Sequence, residues 1–80
     1  MIRELDTVVL SHHLPEYGLL KGDVGAVVHC YTEQGPWEVE FVTASGSTVA
    51  VLTLASQDIR TMKKRDMLHV RDFVKVEQRA

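Results

Sequence analysis

The stretch Trp37–Val42 reads WEVEFV, with Trp37, Val39 and Phe41 alternating strictly with Glu38 and Glu40. Successive side chains of a strand point to opposite faces. This period of two therefore demands a half-buried strand with a dry aromatic face and a wet acidic one. The rest of the chain must supply neighbouring strands for its backbone and a core for its dry face.

The flanking sequence offers both. Residues 5–10 (LDTVVL) and 24–31 (VGAVVHCY) are short and valine-rich, and both read as strands. Between them, residues 11–23 carry Pro15, Gly18 and Gly22, together with Leu14, Tyr17, Leu19 and Leu20. This is a long loop with apolar side chains to pack back on the body. Gly25 inside the second strand predicts a bulge or a close approach of another backbone. Residues 32–36 (TEQGP) and 43–47 (TASGS) are turns. Thr48–Leu54 (TVAVLTL) is apolar on both faces and reads as a central or covered strand. Residues 55–58 (ASQD) read as one helical turn before a last short strand from Ile59. Closely spaced short strands in this order predict an all-β, five-stranded SH3-like barrel over residues 1–62. Its expected interior is Val8, Leu10, Val27, Val28, Val39, Phe41, Val51, Leu54 and Ile59, with Trp37 also on the core side.

Residues 63–80 form a basic C-terminal extension, expected to pack on the barrel or on a second protomer. Over residues 66–78, Leu68, Val70, Val74 and Val76 would share one face of a strand, interrupted by Asp72. As a helix, Asp66 would cap a stripe of Met67, Val70, Phe73 and Val74. The frequent valines favour the strand. An apolar strand beside an exposed sheet edge invites strand addition. Residues 67–76, with Met67 and Val76 at the ends, are thus the expected route to a homo-oligomer.

The net charge of −2 conceals an asymmetry: residues 1–59 carry two bases against eight acids, and residues 60–80 carry seven bases against three acids. The acidic body would repel phosphates, and the basic tail suits an acidic surface on the same or another chain. With 80 residues, 45% hydrophobic and 25% charged, the composition is that of one small globular domain. No stretch has the length of apolar residues a membrane span needs. The acidic start lacks the apolar stretch of a signal peptide, so the expected location is cytoplasmic, without membrane partners. The single cysteine, Cys30, allows no disulfide within the chain and no Cys-rich zinc site, and reads as a small apolar residue.

The segments ELDTVVL, LPEYGLLKGDVGAVVHCY, WEVEFVTASGSTVAVLTL and DIR together resemble the small bacterial proteins of domain-of-unknown-function family 4926, across about residues 4–60. Family members carry no assigned enzyme activity and are often encoded beside small or toxin-like genes. The resemblance therefore implies a non-catalytic, partner-binding role, antitoxin-like or accessory to a neighbouring gene product. A second likeness is to the KOW-type module, through Leu20, Gly22, Asp23, Gly25, Val27 and Val28. In such modules the Gly-Asp pair makes a tight turn into a strand, so this likeness speaks to architecture before ligand.

Four constellations bear on function. Tyr17 and Tyr31 are aromatic candidates for a partner-binding surface, and Glu38 and Glu40 are acidic ones, suited to a basic protein partner. Read as a catalytic carboxylate pair, Glu38 and Glu40 lack a neighbouring group for acid–base work, and the chain is expected not to be an enzyme. His12 and His13 are adjacent, but no ligand spacing of a known kind surrounds them, so no metal or cofactor is expected. Arg60, Lys63, Lys64, Arg65 and Arg71 form a basic cluster that would bind nucleic acid in a salt-sensitive way. No aromatic is interleaved for base stacking, so nucleic acid is the alternative to a protein partner.

Overall fold

The computed structural model describes residues 2–75. The chain forms β1 (Thr7–Leu10), β2 (Val24–Cys30), β3 (Trp37–Val42), β4 (Thr48–Leu54) and β5 (Ile59–Thr61), with one short 3-10 helix at Pro15–Tyr17. The fold is all-β: five antiparallel strands in a single sheet of order β4-β3-β2-β1-β5. β3 lies between β2 and β4, with its alternation intact: Trp37, Val39 and Phe41 are buried and Glu38 and Glu40 are half-buried on the other face.

A four-residue turn joins the two edge strands. Asp58 N–H donates to Ala55 C=O at 2.9 Å, and a turn of this kind spans less than about 7 Å. Across a flat five-stranded sheet the edges would lie about 19 Å apart at the usual strand spacing. The sheet therefore curls strongly on itself, although no β4–β5 ladder joins its edges among the described residues. Curling gathers Val8, Leu10, Leu19, Val27, Trp37, Val39, Phe41, Leu54 and Ile59 into one core, flanked by Ile2, Leu14, Cys30, Val49 and Leu52. Leu19 reaches that core from the long β1–β2 loop and Leu14 packs against it as expected, whereas Tyr17 and Leu20 are exposed.

A bulge accounts for one misplaced core residue and plain alternation for the other. Val27 faces Val39 while His29 faces Glu38, which leaves Val28 as the extra residue of β2. Val28 is consequently 45% exposed, on the outer face. Near the other end of β3, Phe41 faces Ala50 and Val42 faces Thr48, so Val49 is the extra residue of β4. Val51 lies before that bulge, in regular register opposite Glu40, and alternation with Leu52 and Leu54 leaves it 49% exposed. β4 is a sheet edge with a solvated face, not a central or covered strand. Val9 is buried instead, between Val24 and Arg60 in the ladders.

Gly25 marks a close approach, but of side chains. A Cβ there would lie 2.7 Å from Val39 Cγ1 and 2.9 Å from Phe41 Cε1. The first strand begins at Thr7, because Asp6 N–H closes a turn on Arg3 C=O and Leu5 adopts a φ of 71°. Residues 55–58 form a hydrogen-bonded turn without a helix.

The C-terminal segment departs from expectation. Residues 66–75 form neither strand nor helix, and residues 76–78 of the expected strand lie outside the described residues. A ladder would satisfy the backbone of this segment. Instead, Asp66 carboxylate and Arg71 guanidinium anchor it through side chains.

Candidate protein-binding surface

The outer face of the sheet is organised by β3. Glu38 lies between His29 of β2 and Thr53 of β4, and Glu40 lies between Ala26 and Val51. Glu38 accepts hydrogen bonds from the Tyr31 hydroxyl at 3.2 Å and from the Thr53 hydroxyl. Glu40 accepts one from the Thr48 hydroxyl at 2.9 Å. Neither carboxylate has a basic partner among the described residues. Neutral hydroxyls thus fix the direction of both groups and leave their charge uncompensated. Desolvation, reinforced by the Glu38 charge, pushes the Tyr31 phenol above its ordinary value of 10.0, so it stays a donor.

Apolar surface flanks these acids. Val28 and Val51 stand beside them, and Tyr31 meets His29 edge-to-face with centroids 4.8 Å apart. His29 lies 3.6 Å from Glu4, which adds a further carboxylate at this end. Three of the four sequence-predicted partner-binding residues, Tyr31, Glu38 and Glu40, are therefore on one face. Tyr17 is not with them. It lies on the short 3-10 helix and lines a groove beside Thr43 and Thr48, at the far end of β3. Five residues of strand, about 16 Å, separate Glu38 from that end.

The basic cluster is divided. Arg60 donates to both oxygens of Asp66, at 2.8 and 3.2 Å. This ion pair, together with the Lys63 N–H bond, lowers the Asp66 pKa to about 2. Arg71 is bound to Asp23 and to Gly18 C=O. Lys63, Lys64 and Arg65 project from one exposed turn, with no ion pair among the described residues. Three free cations on one turn remain of the five-residue cluster expected for nucleic acid.

His12 and His13 serve the turns around them. His12 Nε2 lies 2.7 Å from Asp58 Oδ1, and His13 Nδ1 accepts from Lys21 N–H at 2.9 Å. The Asp58 hydrogen bond, then the bond to His13 C=O, raises the His12 pKa above 6.5. Partial burial pushes Asp58 up, but the Ala55 N–H and His12 outweigh it and leave the carboxyl below 3.8. No group of three or more His, Cys, Asp or Glu side chains placed to hold a metal occurs among the described residues. No helix among them is long and apolar enough to cross a membrane.

Sequence reasoning missed the pairing of Asp23 with Arg71, 48 residues apart. The only signal was Gly22-Asp23 followed much later by a basic tail, and pairing at that separation cannot be read from spacing. A family model described as "Domain of unknown function (DUF4926)" matches residues 4–61. No curated protein and no solved structure matches the chain.

Proposed function

The chain belongs to the DUF4926 family, and because that family carries no assigned function we propose, from the chain's own geometry, that it is a non-catalytic protein-binding module. The outer face of β2, β3 and β4 receives a basic partner with apolar side chains. One observation carries this reading: Glu38 and Glu40 are held in fixed directions by hydroxyl donors, without a cation, beside exposed Val28 and Val51. A patch of this kind gains from both charge complementarity and apolar burial when a partner covers it. The short strand order and the strong curl support an SH3-like barrel as the scaffold, acting in the cytoplasm. The partner is a neighbouring gene product to which this chain is accessory or antitoxin-like, as the family resemblance suggests.

The test is capture from host lysate, treated with nuclease, by the wild-type chain and by a Glu38→Gln/Glu40→Lys variant. The reading expects a stoichiometric protein that survives nuclease and drops at least tenfold with the variant. Equal capture by both chains would remove the outer face from the account. Material that disappears with nuclease would move function to Lys63, Lys64 and Arg65.

A further inference from the structure

We propose a second binding site, for an extended peptide carrying arginine and, two residues on, an aromatic side chain. It lies between the β1–β2 loop and the β3–β4 turn. In this structure the chain's own Arg71 and Phe73 occupy it. The proposal does not depend on the outer face of the sheet.

Bonds that do not involve Arg71 position the arginine subsite. The chain turns at Gly22, with a φ of +95°, so that Asp23 Oδ2 accepts Leu20 N–H at 2.8 Å. Leu10 N–H donates to Asp23 C=O at 2.9 Å, which ties the same residue to β1. The carboxylate is thereby fixed, and Arg71 addresses it in a fork: Nε to Oδ1 at 2.8 Å and Nη2 to Oδ2. Nη2 also donates to Gly18 C=O at 3.0 Å. A planar guanidinium satisfies this set of acceptors, and an ammonium does not. Partial burial pushes the Asp23 carboxyl up, but bonds from Arg71 and Leu20 reverse that and hold it below 3.8.

Little else holds the occupant. Among the described residues, the segment 67–75 makes no backbone–backbone hydrogen bond, and every side-chain hydrogen bond it forms comes from Arg71. Met67 and Val70 are 91% and 92% exposed, and Leu68 and Val74 are also exposed. The occupant also under-fills its bed. Phe73 is half-buried, and residues 69–73 form one wall of a groove of about 500 Å³ whose other wall includes Leu19, Val24 and Val42, while Phe73 also borders a groove of about 440 Å³ with Tyr17 and Thr48. A peptide with the same arginine and aromatic, and apolar residues to enter those grooves, makes every contact the segment makes and more. The tethered segment then acts as a competitor at the effective concentration its own linker sets.

The probe is a labelled synthetic peptide with the sequence of residues 65–75, RDMLHVRDFVK, added to the full chain and to its Arg71→Ala variant. Arg71→Ala alters a side chain outside the sheet and its core, whereas changing Asp23 would disturb the turn into β2. The proposal expects the peptide to bind the variant at least tenfold more tightly than the wild type. It expects a peptide with alanine at the Arg71 position to bind neither chain. Glu38→Gln, whose partners Tyr31 and Thr53 line neither groove, should leave this binding unchanged, which separates the two sites. No binding to Arg71→Ala, equal binding to both chains, or indifference to the peptide arginine would each overturn the proposal. A wild-type dimer that Arg71→Ala converts to monomer would make a second copy the occupant, and would also overturn it.

Discussion

Gly25 shows how a single missing carbon shapes the core. A Cβ at that position would lie within 3 Å of both Val39 and Phe41, so the strand packs on β3 only because glycine stands there. Overpacking of this kind costs about 1–3 kcal/mol, and Gly25→Ala should lower unfolding stability by that amount in urea titration. The His12–Asp58 pair makes a different prediction. His12 has its folded pKa raised above 6.5, so its contribution is complete below 6.5 and fades as pH rises through the folded value. Asp58 has its folded pKa lowered, so its contribution is present above 3.8 and fades as pH falls through the folded value. The pair thus supports the β4–β5 turn most between about pH 4 and 6.5. Thermal melts should show stability falling from pH 6 to pH 8, and His12→Gln should flatten that slope.

Among the elements, β3 was legible because five alternating residues leave one solution, and the turns were legible because Gly, Pro and Ser cluster between apolar runs. The bulges were not. Each inserts one residue into an otherwise regular ladder, and neither Val27 and His29 around Val28 nor Thr48 and Ala50 around Val49 mark an insertion. The bulge at Val28 puts that residue outside while Val27 stays inside, whereas Val51 lies outside and Leu54 inside because they are three apart in the regular part of the β3–β4 ladder. Leu54→Ala should therefore cost about 2–5 kcal/mol as a buried truncation. Val51→Thr, on the solvated face, should change stability by about 0.5 kcal/mol or less, and paired denaturation curves would show the contrast. The C-terminal segment was the least legible. Its valines suggest a strand, but a strand needs an edge in register. The described part is placed by Arg71 and Asp66, whose partners are fixed by the tertiary fold. Of the candidate surface, Tyr31, Glu38 and Glu40 were legible and their hydroxyl donors Thr48 and Thr53 were not, because cross-strand neighbours depend on the β3–β4 register.

For the whole molecule, the charge asymmetry becomes spatial in part. Arg60 and Arg71 are neutralised by Asp66 and Asp23 within the chain, while Glu38 and Glu40 keep their charge beside exposed valines. The molecule therefore offers an acidic, apolar face on the outside of a curled sheet. Binding there should weaken with salt, because part of the attraction is between partly exposed charges. The most direct measurement is methyl NMR of valine-labelled chain titrated with the protein that the proposed reading expects it to capture. The account predicts that Val28 and Val51 methyls shift while the core methyls of Val8, Val27 and Val39 stay in place. Unmoved Val28 and Val51 signals in a saturated complex would contradict it.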